Sequence, residues 1–140
     1  MSNKKILFSL ILVLGLIMAS SVVSAGLFDS SSSQDLNVSE IKIVSEGYSM
    51  YKVNCELTPK KNFDYLEMGV IFYDSNNAII GKSPMAWNMN DVVKDQVIKV
   101  SGTAMTDDTS AKPARAEVYF IDSAFGKSSE DAIFVQNVTM

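Results

Sequence analysis

From residue 41 onward, apolar side chains recur at every second position rather than every third or fourth. Ile41 and Ile43 alternate in "VSEIKIVS", and Tyr51, Val53, Cys55 and Leu57 alternate in "YSMYKVNCEL". In "FDYLEMGVIFYD", Leu66, Met68, Val70 and Phe72 fall on one side, with Tyr65, Glu67, Gly69, Ile71 and Tyr73 on the other. Successive side chains of a strand project to opposite faces, so each set lines one face of a sheet. "NAIIGK" predicts a short strand. "VVKDQVIKVSGTA" carries Ile98 and Val100 on one face, and "ARAEVYFID" carries Ala116, Val118 and Phe120. "DAIFVQNVT" closes the chain, giving about seven strands.

The segments between them are polar and turn-forming. "TPKKN" (58–62) holds Pro59, and "SNN" (75–77) is a tight turn in which asparagine tolerates positive φ. Longer loops are expected at 104–113 and 123–130. "SPMAWNMNDV" (83–92) does not alternate and reads as a loop with room for one helical turn. About seven short strands in so short a chain predict an all-β fold, an antiparallel immunoglobulin- or fibronectin-like β-sandwich over residues 37–140.

The first 25 residues follow another logic. Lys4 and Lys5 precede an apolar run over 6–18, then small residues up to Ala25. This is the layout of a helical secretory signal segment cleaved after Ala25, or of an uncleaved anchor. "GLFDSSSSQDL" (26–36) offers little to bury and reads as a flexible serine-rich linker. The expected location is outside the membrane, secreted or on the outer face of the envelope, with membrane contact only through the N-terminal segment.

Composition narrows the chemistry. Without residues 1–25, ten basic residues face sixteen acidic ones, a net charge of −6, with no basic cluster for nucleic acid. Histidine is absent, which removes the usual general base and the commonest metal ligand. The single cysteine, Cys55, sits at an alternating apolar position and is expected to be buried. The seven glycines form no phosphate-binding loop.

"VIFYDSNNAIIG" resembles the strand–turn–strand core of FxLYD-type domains of prokaryotic secreted proteins. Phe72, Tyr73 and Asp74 occupy the last three motif positions, while Val70 departs from the first. The resemblance spans roughly residues 48–122 and implies an immunoglobulin-like sandwich with no catalytic residues to carry over. On the residues themselves, Phe72 belongs in the core, Tyr73 on the opposite face, and Asp74 caps the turn.

No catalytic, cofactor or resident metal site is expected. Acids at predicted turns (Asp74, Asp91, Asp95, Asp107 and Asp108) are the only candidates for a carboxylate pair, and "TDDTS" (106–110) and "DSNN" (74–77) offer oxygens to calcium. Trp87, flanked by Met85 and Met89, is either an adaptable contact loop or a loop folded back so that Trp87 plugs the core. Asn37 and Asn137 match the glycosylation acceptor pattern. The expectation is a non-enzymatic binding, adhesion or envelope module meeting a protein or glycan through Met85, Trp87, Met89, Asp107 and Asp108. The alternatives are a secreted carboxylate-dependent enzyme or inhibitor, or a spacer.

Overall fold

The computed structural model of the chain describes residues 33–124 and 128–140. The signal segment and most of the serine-rich stretch lie outside them. Eight strands form: β1 (Leu36–Val38), β2 (Lys42–Gly47), β3 (Met50–Pro59), β4 (Phe63–Tyr73), β5 (Ile79–Val92), β6 (Ile98–Met105), β7 (Arg115–Ile121) and β8 (Phe134–Thr139). One sheet has β3 at its centre, with β6 on one side and β1 and β2 end to end on the other. The second has the order β5–β4–β7–β8. Every pairing is antiparallel.

Alternation builds the core. Val53, Cys55 and Leu57 of β3, and Ile98 and Val100 of β6, meet Leu66, Met68, Val70 and Phe72 of β4 and Ala116, Val118 and Phe120 of β7. The result is a two-layer sandwich with a shared apolar interior. β4 is buried on both sides. Its outward Ile71 joins Tyr119 and Ile121 in a second, smaller cluster, with Tyr73 and Ala132 packed against it. Cys55 is a buried free thiol, and burial pushes it up to about 12.

Three expectations change. "VSEIKIVS" belongs to two strands rather than one, because the edge breaks at 39–41. There Ser39 bridges the break: its amide donates to Glu56 O, and its hydroxyl accepts the Glu56 amide, both at 2.8 Å. Leu36, placed at the end of the linker by sequence, is fully buried in β1, and the Ser33 hydroxyl accepts its amide at 2.9 Å. Residues 83–92 are not a loop but the greater part of β5, fourteen residues long. Met68 opposes Trp87 and Val70 opposes Ser83, so Gly69 alone faces residues 84–86. This wide bulge at Pro84 breaks the alternation that would have marked the strand.

The two sheets touch along one side, where β5 runs beside β6. A Cβ on Gly81 would lie 2.5 Å from Met105 O, and one on Gly102 would lie 2.7 Å from Ala86 O. Bare backbone at these positions lets Ser83 Oγ accept the Met105 amide at 2.9 Å. We expect Gly81→Ala to cost about 1–3 kcal/mol through overpacking against backbone that cannot rotate away. Urea denaturation followed by Trp87 fluorescence measures it.

Candidate functional site

Strand direction alternates through the sandwich, so three connections gather at one end. They are the β2–β3 turn, the β4–β5 turn at 74–78 and the β6–β7 loop at 106–114. Backbone bonds tie them together. Thr106 donates to Ser49 O at 3.0 Å and Asp107 to Ile80 O at 2.8 Å, so consecutive residues after β6 grip both sheets. Ala114 donates to Tyr73 O at 2.8 Å. Arg115 stacks on the Tyr73 ring, 3.8 Å from its centroid, and donates from Nη2 to Asn77 Oδ1 at 2.6 Å.

Each connection is held by its own side chains. Asp74 Oδ1 accepts the amides of Asn76 (2.8 Å) and Ala78 (2.9 Å), and Asn77 takes φ 64°, the hairpin geometry expected of "DSNN". Asp108 Oδ1 accepts the Ser110 amide at 2.8 Å, and the buried Thr106 hydroxyl donates to Asp108 O at 3.0 Å. Hydrogen bonds from the Ser110 amide and hydroxyl hold the Asp108 carboxyl below its ordinary value. In both acidic segments an aspartate oxygen therefore caps its own backbone.

The β2–β3 turn is the residue set that sequence reasoning missed. Gly47 pairs with Met50, leaving Tyr48 and Ser49 as the tip. Both have positive φ, 50° and 69°, as a type I′ hairpin requires. Asn-Gly is the usual occupant; a tyrosine there sits in a region that disfavours a bulky side chain. Tyr48 is nevertheless 86% exposed and, among the described residues, pairs with no other ring. Exposed Ile79 and Met105 belong to the same end, as do exposed Asp107 and Asp108. The available signal was "GYS" between two alternating runs: a glycine before an aromatic where the chain must reverse.

The structure separates the predicted contact residues. Asp107 and Asp108 lie at this end, whereas Met85, Trp87 and Met89 lie along β5. Met85 and Met89 are 46% and 38% exposed. Trp87 is half-buried and packs on the core, edge-on to Phe120 with centroids 6.3 Å apart. Of the two alternatives the sequence offered, it takes the one that packs Trp87 on the core, but from a strand rather than a loop. Asn37 is exposed on β1 and Asn137 on β8, the latter accepting a hydrogen bond from Arg115 Nη1. Asp91 and Asp95, both at positive φ, belong to the opposite end, where the Asp95 amide bonds Pro59 O. Among the described residues, no three acidic or cysteine side chains converge as a metal site.

Glu67 is the one buried carboxylate among the described residues. It lies on the outer face of β4 and accepts the Tyr65 hydroxyl at 2.5 Å. Burial, then the bond to Glu67 and its negative charge, push Tyr65 up to about 12. Tyr119, which fills the space left by Gly69 across the strand pair, is raised by burial and by the charges of Glu67 and Glu117. This cluster stiffens the sheet; it brings no second acid onto Glu67.

A scan against models of known protein families finds no match for the chain, and a search of curated proteins finds none either.

Two outcomes follow from these geometries. Cys55, Tyr65 and Tyr119 all keep their protons longer in the folded state, so their contribution to stability is intact below pH about 9. It is lost as pH rises, for Cys55 and Tyr65 toward about 12, because there the unfolded chain has released protons that the fold retains. Denaturation midpoints across that range should fall, and Tyr65→Phe should shrink the fall while costing about 1–3 kcal/mol at neutral pH by leaving Glu67 without its donor. Separately, replacing Tyr48-Ser49 by Asn-Gly should stabilise the domain by about 1–2 kcal/mol, since it relieves left-handed strain. Thermal denaturation checks the sign.

Proposed function

We propose that the chain is an exported, non-enzymatic β-sandwich module that binds a protein or glycan at the cell surface through the end that carries Tyr48. The single observation behind this reading is that tyrosine, strained at a hairpin tip and left in solvent. Strain kept at an exposed aromatic is a cost to folding with no return inside the fold, and such residues concentrate at contact sites. Ile79 and Met105 add apolar surface around it, and Asp107 and Asp108 add a charged rim. Loops carried at one end of a rigid sandwich are a common solution for recognition.

The immunoglobulin-like, FxLYD-type affinity is part of the proposal. It is supported by a four-stranded sheet facing one built on β3, with connections that cross between sheets from β3 to β4, β5 to β6 and β6 to β7. It is supported too by Phe72 in the core, Tyr73 on the outer face and Asp74 capping the turn. Export rests on the N-terminal sequence alone.

A photo-cross-linking side chain at position 48 tests the contact on the intact surface of the producing cell. Cross-links from position 48, absent when the probe sits at Val93 beyond the far end of β5, are the expected result. Equal labelling from both positions, or none, refutes the assignment.

A further inference from the structure

We propose that β8 is a pairing edge, and that a second copy of this chain adds to it antiparallel about a two-fold axis through Asn137. The other sheet edges are defended. β5 is covered by β6 and bulged at Pro84. β2 carries Lys42 and Glu46 and a register shift before Gly47, and β1 is only three residues long. Short strands, charges and bulges are the usual means of blocking edge pairing. Over 134–139 β8 has none of them: "FVQNVT" contains no charge and no proline and pairs with β7 without a register shift, while the doubled contact in which Ile133 donates to Phe120 O lies before the strand begins.

The direction of its backbone groups follows from the ladder. Met140 donates to Ala114 O at 3.0 Å, in register with the pairing of Arg115 and Thr139. The even-numbered residues of β8 therefore aim their amides and carbonyls at β7. Val135, Asn137 and Thr139 aim theirs away from the sheet, and their side chains occupy its outer face. Val135 is 41% exposed.

A second copy fits this edge because the edge is self-complementary. With the axis through Asn137, that residue opposes Asn137 of the second copy, and Val135 opposes Thr139. Each outward amide and carbonyl then meets its counterpart, and outer-face side chains meet outer-face side chains. No residue from 134 to 139 is charged, so the strand itself brings no repulsion to its copy; the flanking charges belong to β7, where Arg115 bonds Asn137 and Glu117 is its cross-strand partner. Asn137 Oδ1 is engaged by Arg115, which leaves the amide nitrogen to face its copy. A glycan on Asn137 and this pairing exclude each other.

Sedimentation equilibrium of the full chain tests the proposal, with Asn137→Lys as the variant. Arg115 keeps Asn77 and the Tyr73 ring, so the monomer fold is preserved, but lysine places like charges opposite one another on the axis, beside the Arg115 cation of each copy. The wild type is expected to dimerise and the variant to dimerise more than about tenfold more weakly, with added salt restoring part of the loss. Val93→Asp, at the far end of the sandwich, should leave dimerisation unchanged. Hydrogen exchange supplies a second readout: the amides of Val135, Asn137 and Thr139 should gain protection as concentration rises. A wild type that remains monomeric at every concentration, an Asn137→Lys chain that pairs as tightly as wild type, or concentration-independent exchange at those three amides would overturn it.

Discussion

The sandwich depends on the approach of β5 to β6. Two glycines, Gly81 and Gly102, let backbone meet backbone where any side chain would hold the sheets apart. Because the seam closes there, the chain leaving β6 can bond both layers within two residues, through Ser49 and Ile80. Those bonds position the β6–β7 loop, and with it the whole end on which Tyr48, Ile79 and Met105 are displayed. Without the seam, the apolar faces could still collapse, but the relative placement of the three connections would be lost.

The two sheets solve the edge problem in different ways. The sheet centred on β3 breaks its outer strand at Ser39 and adds charges and a bulge farther along. The sheet centred on β4 protects β5 by running it beside β6 and bulging it at Pro84, and leaves β8 plain. Its interior strands carry a heavier load than a solvated sheet face requires. β4 is packed on both sides, and Glu67, Tyr65 and Tyr119 form a polar cluster where an exposed face would simply be wet. The Tyr65 hydroxyl, which burial and its Glu67 partner keep protonated, ties β4 together on this outer face.

The end with three connections combines rigid support with local strain. Arg115 fastens the 74–78 turn to the sheet through Asn77 and Tyr73, and Asp74 and Asp108 close their own turns. On that platform, Tyr48 puts a bulky side chain where the two-residue hairpin needs positive φ. Its exposure and its positive φ are the two observations on which the proposed contact rests, and they stand apart from the properties of the β8 edge.

Local chemistry was legible where a few neighbouring residues decide the outcome. The period-two runs marked β3, β4, β6 and β7 because alternation itself is what buries one face. Asp74, Asn77 and the core placement of Phe72 followed from a turn closed by its own side chains. Cys55 was legible as a buried thiol from its place in the pattern. The run 83–92 was not, because a bulge opposite Gly69 shifts the register and hides the strand; nothing near Trp87 in sequence reports that β4 lies alongside. Tyr48 was missed for a related reason: "GYS" announces a reversal, but only the pairing of Gly47 with Met50 leaves the tyrosine at the tip. The sequence alone thus determined the inward faces of β3, β4, β6 and β7 and the turn at 74–78, since these depend on residues a few positions apart. The closing of the seam, the gathering of Tyr48 with Asp107, and the bare edge at β8 were decided by tertiary structure, because each depends on backbone groups from strands far apart in the chain.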